Sequence, residues 1–382
     1  MLILKAKSSA QVMKAYNQQR VLNVIYYEGP ISRIDIAAKT GLTQQTITNI
    51  TGRLLEENII IEGKSTGSGA GRKPIPLEIN HSQLYAIGIE ITVQSIRGIL
   101  VDFNHNILAE QSIDAANYNN ADDTLHYLQS IIDALLTNAS SLQLIKGIGI
   151  SIQGVVDPLA GIVINSHALH LKDYPLKEKL EQHYSFPVHI DNDINTIAIV
   201  ENSGGALDSS QNNLTLSIDE GIGGAIVINK ELYTGYHHRA GEFGHIKTFF
   251  GKDALPCHCG SAGCLTTMAS IGGLENVFSI SIDNMIKEIM KGNQRYENAL
   301  LKIGNAIGDG LCNLIIFFDP EKVLLTGRLF DMAGDFIIPI IKEKMKTSVP
   351  HFSRDVILEY LSKRQEQASM AAELAIQEMF KL

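Results

Sequence analysis

Gly241-Glu242-Phe243-Gly244-His245 is followed, after eleven residues, by Cys257-His258-Cys259-Gly260-Ser261-Ala262-Gly263-Cys264-Leu265. The reading of the chain turns on this stretch. Three thiols fall within eight residues, and glycines between them let the chain bend so that all three sulfurs face one point. His245 can supply a fourth donor, with His258, inside the knuckle, as the competing imidazole. A Cys₃His set at this spacing is a tetrahedral structural zinc site, closed to water. One structural zinc per chain is therefore expected, on His245, Cys257, Cys259 and Cys264. Four cysteines in 382 residues are not a disulfide framework. Cys312, alone in Leu311-Cys312-Asn313-Leu314, reads as a small buried apolar residue.

The segments around the knuckle alternate strand and helix. Tyr85–Ile91, Ile96–Asp102 and Asn106–Glu110 form a predicted meander, followed by a helix over 123–138 and an apolar strand, Ile145–Ile152. A second helix, Leu176–His183, leads to Val188-His189-Ile190-Asp191-Asn192-Asp193. A second block opens with Asn213–Ile218 and continues through Gly221–Ile228. Two successive blocks of this kind predict an α/β body of two lobes with a cleft between them.

The amino terminus differs in charge and pattern. Residues 1–80 hold ten Lys/Arg and six Asp/Glu, a balance of +4, so the remainder carries −13 of the net −9. A small basic module on a large acidic body is expected where only that module meets a polyanion. A helix is predicted from Gln11 to Tyr27, with Val12, Tyr16, Val21, Leu22, Val24 and Ile25 on its apolar face, stopped by Gly29-Pro30. Ser32 caps a short helix to Thr40, Gly41 makes the turn, and Thr43 caps a third helix to about Glu57. Ala37, Gly41 and Ile47 put a small residue at the crossing, a turn residue and a branched apolar residue where a helix-turn-helix needs them. The third helix presents Gln44, Gln45, Thr46, Thr48 and Asn49, side chains that read adenine edges, phosphates or thymine methyls in the major groove. Strands at 59–62 and 75–79 flank a Gly-rich loop ending in Arg72-Lys73-Pro74, a wing tip that can enter a minor groove. The module is a winged helix-turn-helix, and double-stranded operator DNA is its expected partner.

Composition narrows the rest. Hydrophobic residues make up 45% and charged residues 19%, enough apolar material for a core and not the profile of a disordered chain. The longest apolar runs, such as Leu314–Phe318, fall far short of the ~20 residues of a membrane span, and Met1–Lys5 is too short for a signal-peptide core. No membrane association and a cytoplasmic location are expected.

Gly241-Glu242-Phe243-Gly244-His245, the knuckle, Asp191-Asn192-Asp193-Ile194-Asn195 and Glu220-Gly221-Ile222-Gly223-Gly224 together resemble the ROK family of repressors, open reading frames and sugar kinases, over most of residues 84–382. With a winged helix in front, the chain is similar to the repressor branch, including xylose-operon and N-acetylglucosamine repressors. The resemblance implies a DNA-binding domain over 1–80 and a sugar-sensing domain over 81–382, with an actin-like (RNase H-like) two-lobed sugar-kinase fold and a zinc knuckle at 245–264. It implies a monosaccharide site made by Asn192, Asp193, Glu242 and His245, Asp193 standing where the kinases keep a catalytic base. It also implies a homodimer or homotetramer with paired DNA-binding heads.

The chain departs from the kinases at the phosphate loops. Where they have Asp-x-Gly-Gly-Thr, it has Glu90-Ile91-Thr92-Val93-Gln94; the second loop reads Asp219-Glu220-Gly221, and a third Gly-rich segment is reduced to Thr326-Gly327-Arg328. Carboxylates stand where phosphates would lie, so loss of kinase activity is expected. A family Glu after the knuckle is replaced by Thr266, which leaves the sugar open, with a pentose such as xylose favoured over glucose. The expected function is a sugar-responsive repressor of a carbohydrate-utilisation operon. A sugar kinase with an accessory domain, and a scaffold whose effector is a protein, are the alternatives.

Overall fold

The computed structural model describes residues 9–64, 74–92, 94–114, 120–166, 169–351, 355–361 and 367–381. The amino-terminal module consists of α1 (Ser9–Glu28), β1 (Ile31–Ser32), α2 (Arg33–Thr40), α3 (Gln44–Glu56), β2 (Ile60–Glu62) and β3 (Pro76–Ile79). The helix ends follow the capping chemistry. Ser32 accepts a hydrogen bond from the Asp35 amide and Thr43 from the Thr46 amide, satisfying donors that a first turn leaves open. Gly41 ends α2 at φ 68°, the left-handed region that glycine enters without strain. Val21, Leu22, Ile25, Ile36, Ile47, Ile50 and Leu54 make the core, and the small sheet runs in the order β1-β3-β2. One detail differs from expectation: Val12 and Tyr16 are each 53% exposed. Burial along α1 starts only at Asn17, so the earlier apolar residues are not part of the packed face.

The chain divides into two compact units, one of Met1–Ile152, Pro158–Ile190 and Ala371–Leu382, the other of Gln153–Asp157 and Asp191–Met370. In the first, β4 (Tyr85–Ile91), β5 (Ser95–Asp102), β6 (Ile107–Asp114), α4 (Ala121–Leu136), β7 (Ile145–Ile152), α5 (Leu176–His183) and β11 (Val188–Asn192) build a sheet of order β11-β7-β4-β5-β6. Between β7 and β11 the chain also forms β8 (Val155–Asp157), β9 (Ile162–Ser166) and β10 (Leu171–Tyr174), the last two pairing antiparallel. α4 lies close on β5 because Gly98 has no side chain; a Cβ there would meet Ile131 at 2.5 Å.

The second unit repeats the plan. Its elements are α6 (Asp193–Glu201), β12 (Asn213–Ile218), β13 (Ile222–Ile228), β14 (Glu231–Leu232), α7 (Thr266–Ala269), α8 (Ile271–Phe278), α9 (Ile282–Met290), α10 (Gln294–Phe318), β15 (Lys322–Thr326), α11 (Arg328–Ser348) and β16 (Ile357–Tyr360). Its sheet order, β14-β13-β12-β15-β16, matches the first strand for strand, with β12–β13 antiparallel and β12–β15–β16 parallel. Two copies of one strand order are the mark of the actin-like α/β fold. On one face Ala225, Val227 and Leu324 pack under α6; on the other Leu214, Leu216, Ile218 and Ile226 pack with α7–α11. α10 is long and apolar enough to cross a membrane, which single apolar runs did not signal, and its buried face belongs to this second core.

The last helix is α12 (Gln367–Phe380), which belongs to the first unit from Ala371 onward. Phe380 stacks on Tyr26 of α1 with centroids 3.9 Å apart. Gln19 and Asn23 donate to the carbonyls of Met379 and Phe380, partners for acceptors that a helix end leaves open.

Candidate functional site

α3 carries the candidate DNA surface. Gln44, Gln45, Thr48 and Asn49 are exposed and Thr46 is half-buried. The Gln45 amide donates to Asn49 Oδ1 at 3.2 Å, and the Thr48 hydroxyl to the Gln44 carbonyl, so the row is ordered before any partner arrives. Arg72 and Lys73 lie outside the described residues.

The knuckle folds as a donor cage. One donor atom each from His245, Cys257, Cys259 and Cys264 lie within 4.8 Å of one another, and His258 is not in the group. Cys257 Sγ is 3.7 Å from His245 Nδ1, and Cys259 Sγ is 3.7 Å from Cys264 Sγ. A zinc tetrahedron with Zn–S near 2.3 Å and Zn–N near 2.0 Å has edges of about 3.4–3.8 Å, so the residues present fit that ion. Gly260 and Gly263 turn the chain at φ 86° and 73°. Burial pushes the Cys257 thiol up to about 11, while the Ser261 backbone amide holds Cys259 below its ordinary value. Lys247, not singled out in the sequence, donates to Cys264 Sγ at 2.8 Å and to the Ser261 hydroxyl at 2.7 Å. Its charge would balance the −1 of three thiolates and one divalent ion.

His245 also faces the sugar candidates. Its Nε2 is 3.7 Å from Glu242 Oε2, with the two side chains 31% and 50% exposed. A metal-held imidazole with its second nitrogen toward a carboxylate is fixed in tautomer and orientation. Thr266 borders this loop: a Cβ on Gly244 would come 3.3 Å from Thr266 Cβ.

Asn192 and Asp193 stand at the start of α6, whose Ile194 lies against Gly223 of β13; Phe243, next to Glu242, lies against the neighbouring Gly224. The structure thus brings Glu242 and His245 together and keeps the other pair on a separate element. The Asn192 amide is already engaged. Its Oδ1 accepts from the Ile194 and Asn195 amides and its Nδ2 donates to the Gly154 carbonyl at 2.7 Å. Asn192→Ala should therefore cost about 1–2 kcal/mol through the lost cap and the released Gly154 turn, read as a lower denaturant midpoint. An unchanged midpoint would contradict this.

The segments matching the kinase phosphate loops are tied up internally. The Thr92 hydroxyl accepts from the Gln94 and Ser95 amides, at 3.2 and 3.1 Å, and Val93 lies outside the described residues. Asp219 accepts from the Arg328 amide at the start of α11, a carboxylate at the positive end of a helix. Glu220 pairs with the Arg328 guanidinium at 2.8 Å. The sequence shows Arg328 only as the end of a reduced Gly-rich segment, because its partners lie 108 and 109 positions away. Cys312 is buried in the second core, where desolvation pushes its thiol up.

Module, repeated sheets and donor cage define a class: a winged helix-turn-helix joined to an α/β body of sugar-kinase type. The chain belongs to the ROK family, whose model matches residues 86–378, while a winged helix-turn-helix DNA-binding model matches residues 15–61. It is 30% identical over 343 residues to the xylose repressor of Bacillus subtilis, covering 88% of this chain and 87% of that one. It is 25% identical over 357 residues to the DNA-binding transcriptional dual regulator NagC of Escherichia coli, covering 89% and 86%. A solved ROK family transcriptional regulator, described as a homolog of the E. coli MLC protein, aligns with TM-score 0.84 at 25% identity over 96% of each chain.

Proposed function

We propose that this protein is a sugar-responsive, DNA-binding transcriptional repressor of a carbohydrate-utilisation operon, with a non-catalytic ROK body. The observation that carries the reading is the in-chain pairing of Asp219 and Glu220 with Arg328. A triphosphate would have to displace a guanidinium–carboxylate pair and face two carboxylates. At ~4 Å and an effective dielectric near 20, each like-charge contact costs roughly 4 kcal/mol. The turn at Thr92 supports the same conclusion, since its amides already have an acceptor.

In this reading residues 1–80 bind operator DNA through Gln44, Gln45, Thr46, Thr48 and Asn49, with Arg72 and Lys73 on the wing. Residues 81–382 sense the sugar. Asp193, Glu242 and His245 contact its hydroxyls, and Asn192 contributes by holding the turn at Gly154. One zinc on His245, Cys257, Cys259 and Cys264 closes the loop that carries His245. A homodimer or homotetramer presents paired heads to a two-fold operator with half-sites about one or two helical turns apart. Such a protein works beside the chromosome, in the cytoplasm. The relatives' names and Thr266 favour xylose among the sugars.

The test is a gel shift on DNA from the gene's own upstream region, with xylose, glucose and N-acetylglucosamine. The reading expects specific binding that one sugar weakens by about 30–150-fold, the usual span of allosteric coupling. Equal affinity for random DNA at physiological salt would contradict it. ATP consumption on the same sugars would instead support a kinase.

A further inference from the structure

We propose that Gly52 and Arg53 form a docking point for a phosphate of the operator backbone, beside the base-reading row of α3. The inference rests on the reading of α3 as the helix that meets DNA. Gly52 is the ninth of thirteen residues in α3, a position where glycine weakens a helix more than any residue except proline. Packing does not require it, since among the described residues a Cβ at position 52 would have no heavy atom within 4 Å beyond its chain neighbours and its own helix backbone. Backbone conformation does not require it either, because Gly52 is not among the positive-φ glycines. At 100° per residue it falls on the same face as Gln45, Thr48 and Asn49. A missing side chain there leaves room for something outside the protein to approach the helix backbone.

Arg53 supplies the second observation. Its Nε is buried without a hydrogen-bond partner, and among the described residues its side chain has no ion pair. Three other cations of the module are engaged: Arg20 donates to the Thr40 carbonyl, Arg33 to Glu62 and Thr51, and Lys39 pairs with Glu28. An uncommitted guanidinium next to a bare stretch of helix suits a phosphodiester, which accepts planar, charge-assisted hydrogen bonds. Exposed Glu56 and Glu57, three and four residues beyond Arg53, would repel the strand and so limit how far along the helix the contact extends.

Substitutions in the full-length chain separate this role from a structural one. Gly52→Ala should raise the melting temperature by about 2 °C through helix propensity. It should nevertheless weaken binding to the upstream duplex, measured by fluorescence anisotropy, by at least about 10-fold. Arg53→Gln should weaken binding about 5-fold and reduce the slope of log K against log salt by about 0.9 per head, while Arg53→Lys keeps the slope. A stabilised Gly52→Ala chain with unchanged affinity, or an Arg53→Gln chain with unchanged salt slope, overturns the docking point. If Gln45→Ala and Asn49→Ala leave binding unchanged as well, the DNA-contacting role of α3 itself is overturned.

Discussion

A Gly149→Ala chain should lose about 3 kcal/mol of stability or more, at the upper end of what overpacking a core costs. The added Cβ would lie 1.7 Å from the Ala371 carbonyl oxygen and 2.7 Å from its carbon. Both atoms are backbone, so no rotamer change relieves the clash; α12 must move away from β7. That motion would also pull on the stack of Phe380 with Tyr26 and on the bonds from Gln19 and Asn23. The damage should therefore reach the seat of the DNA-binding module, with lower operator affinity beside the lower denaturant midpoint. Gly221→Ala is the matched control, since a Cβ at Gly221 meets nothing within 4 Å. It should stay within about 0.5 kcal/mol of the parent. Equal midpoints for the two variants would contradict the close approach of α12 to β7.

The second large effect concerns the metal. Protein purified without chelator should carry about one zinc per chain, and Cys257→Ala should remove it. Three thiolates and an imidazole bind zinc strongly, and apparent free energies of about 10–16 kcal/mol are found for structural sites in zinc-finger peptides. Here the ion would secure only the 245–264 loop, so the protein should remain folded while that loop loosens. His245 then no longer holds its place opposite Glu242, and sugar response should vanish together with the metal. Elemental analysis of both proteins reads the first effect and a sugar titration the second. Wild-type protein without stoichiometric metal would contradict the zinc assignment.

Local signals made most of the fold legible in the sequence. Ser32, Gly41 and Thr43 mark helix ends by side-chain and backbone chemistry that acts within four residues, and those ends lie where the pattern puts them. Strands at Tyr85–Ile91, Ile145–Ile152 and Asn213–Ile218 are buried at all but Glu90 and Lys146 and are built around Ile and Leu, so their apolar residues mark them in the sequence. β6 is different. It runs on to Asp114, four residues past Glu110, because it is an exposed edge strand held by pairing with β5. Hydropathy carries no trace of such pairing. α12 leaves little local signal, because its alanines pack beside Gly147 and Gly149, more than 200 positions earlier.

The site was legible to a different degree. The thiol spacing is local, and the cage forms as the knuckle suggests. Asn192 could be read either as a ligand contact or as a cap; its bonds from Ile194 and Asn195 are those of a cap, and its bond to Gly154 holds a turn 38 positions away. Lys247 at Cys264 and Arg328 at Asp219 and Glu220 depend on contacts that no short motif encodes.

The central claim is that the sugar-kinase body has become a sensor that controls the DNA-binding module. Its most direct test is operator binding by wild type and Asp193→Ala, each titrated with xylose, glucose and N-acetylglucosamine. One sugar should release the wild-type protein from operator DNA, while Asp193→Ala should bind the same DNA equally well and ignore that sugar. Wild-type binding that no sugar alters, or an Asp193→Ala chain that responds like its parent, would contradict it.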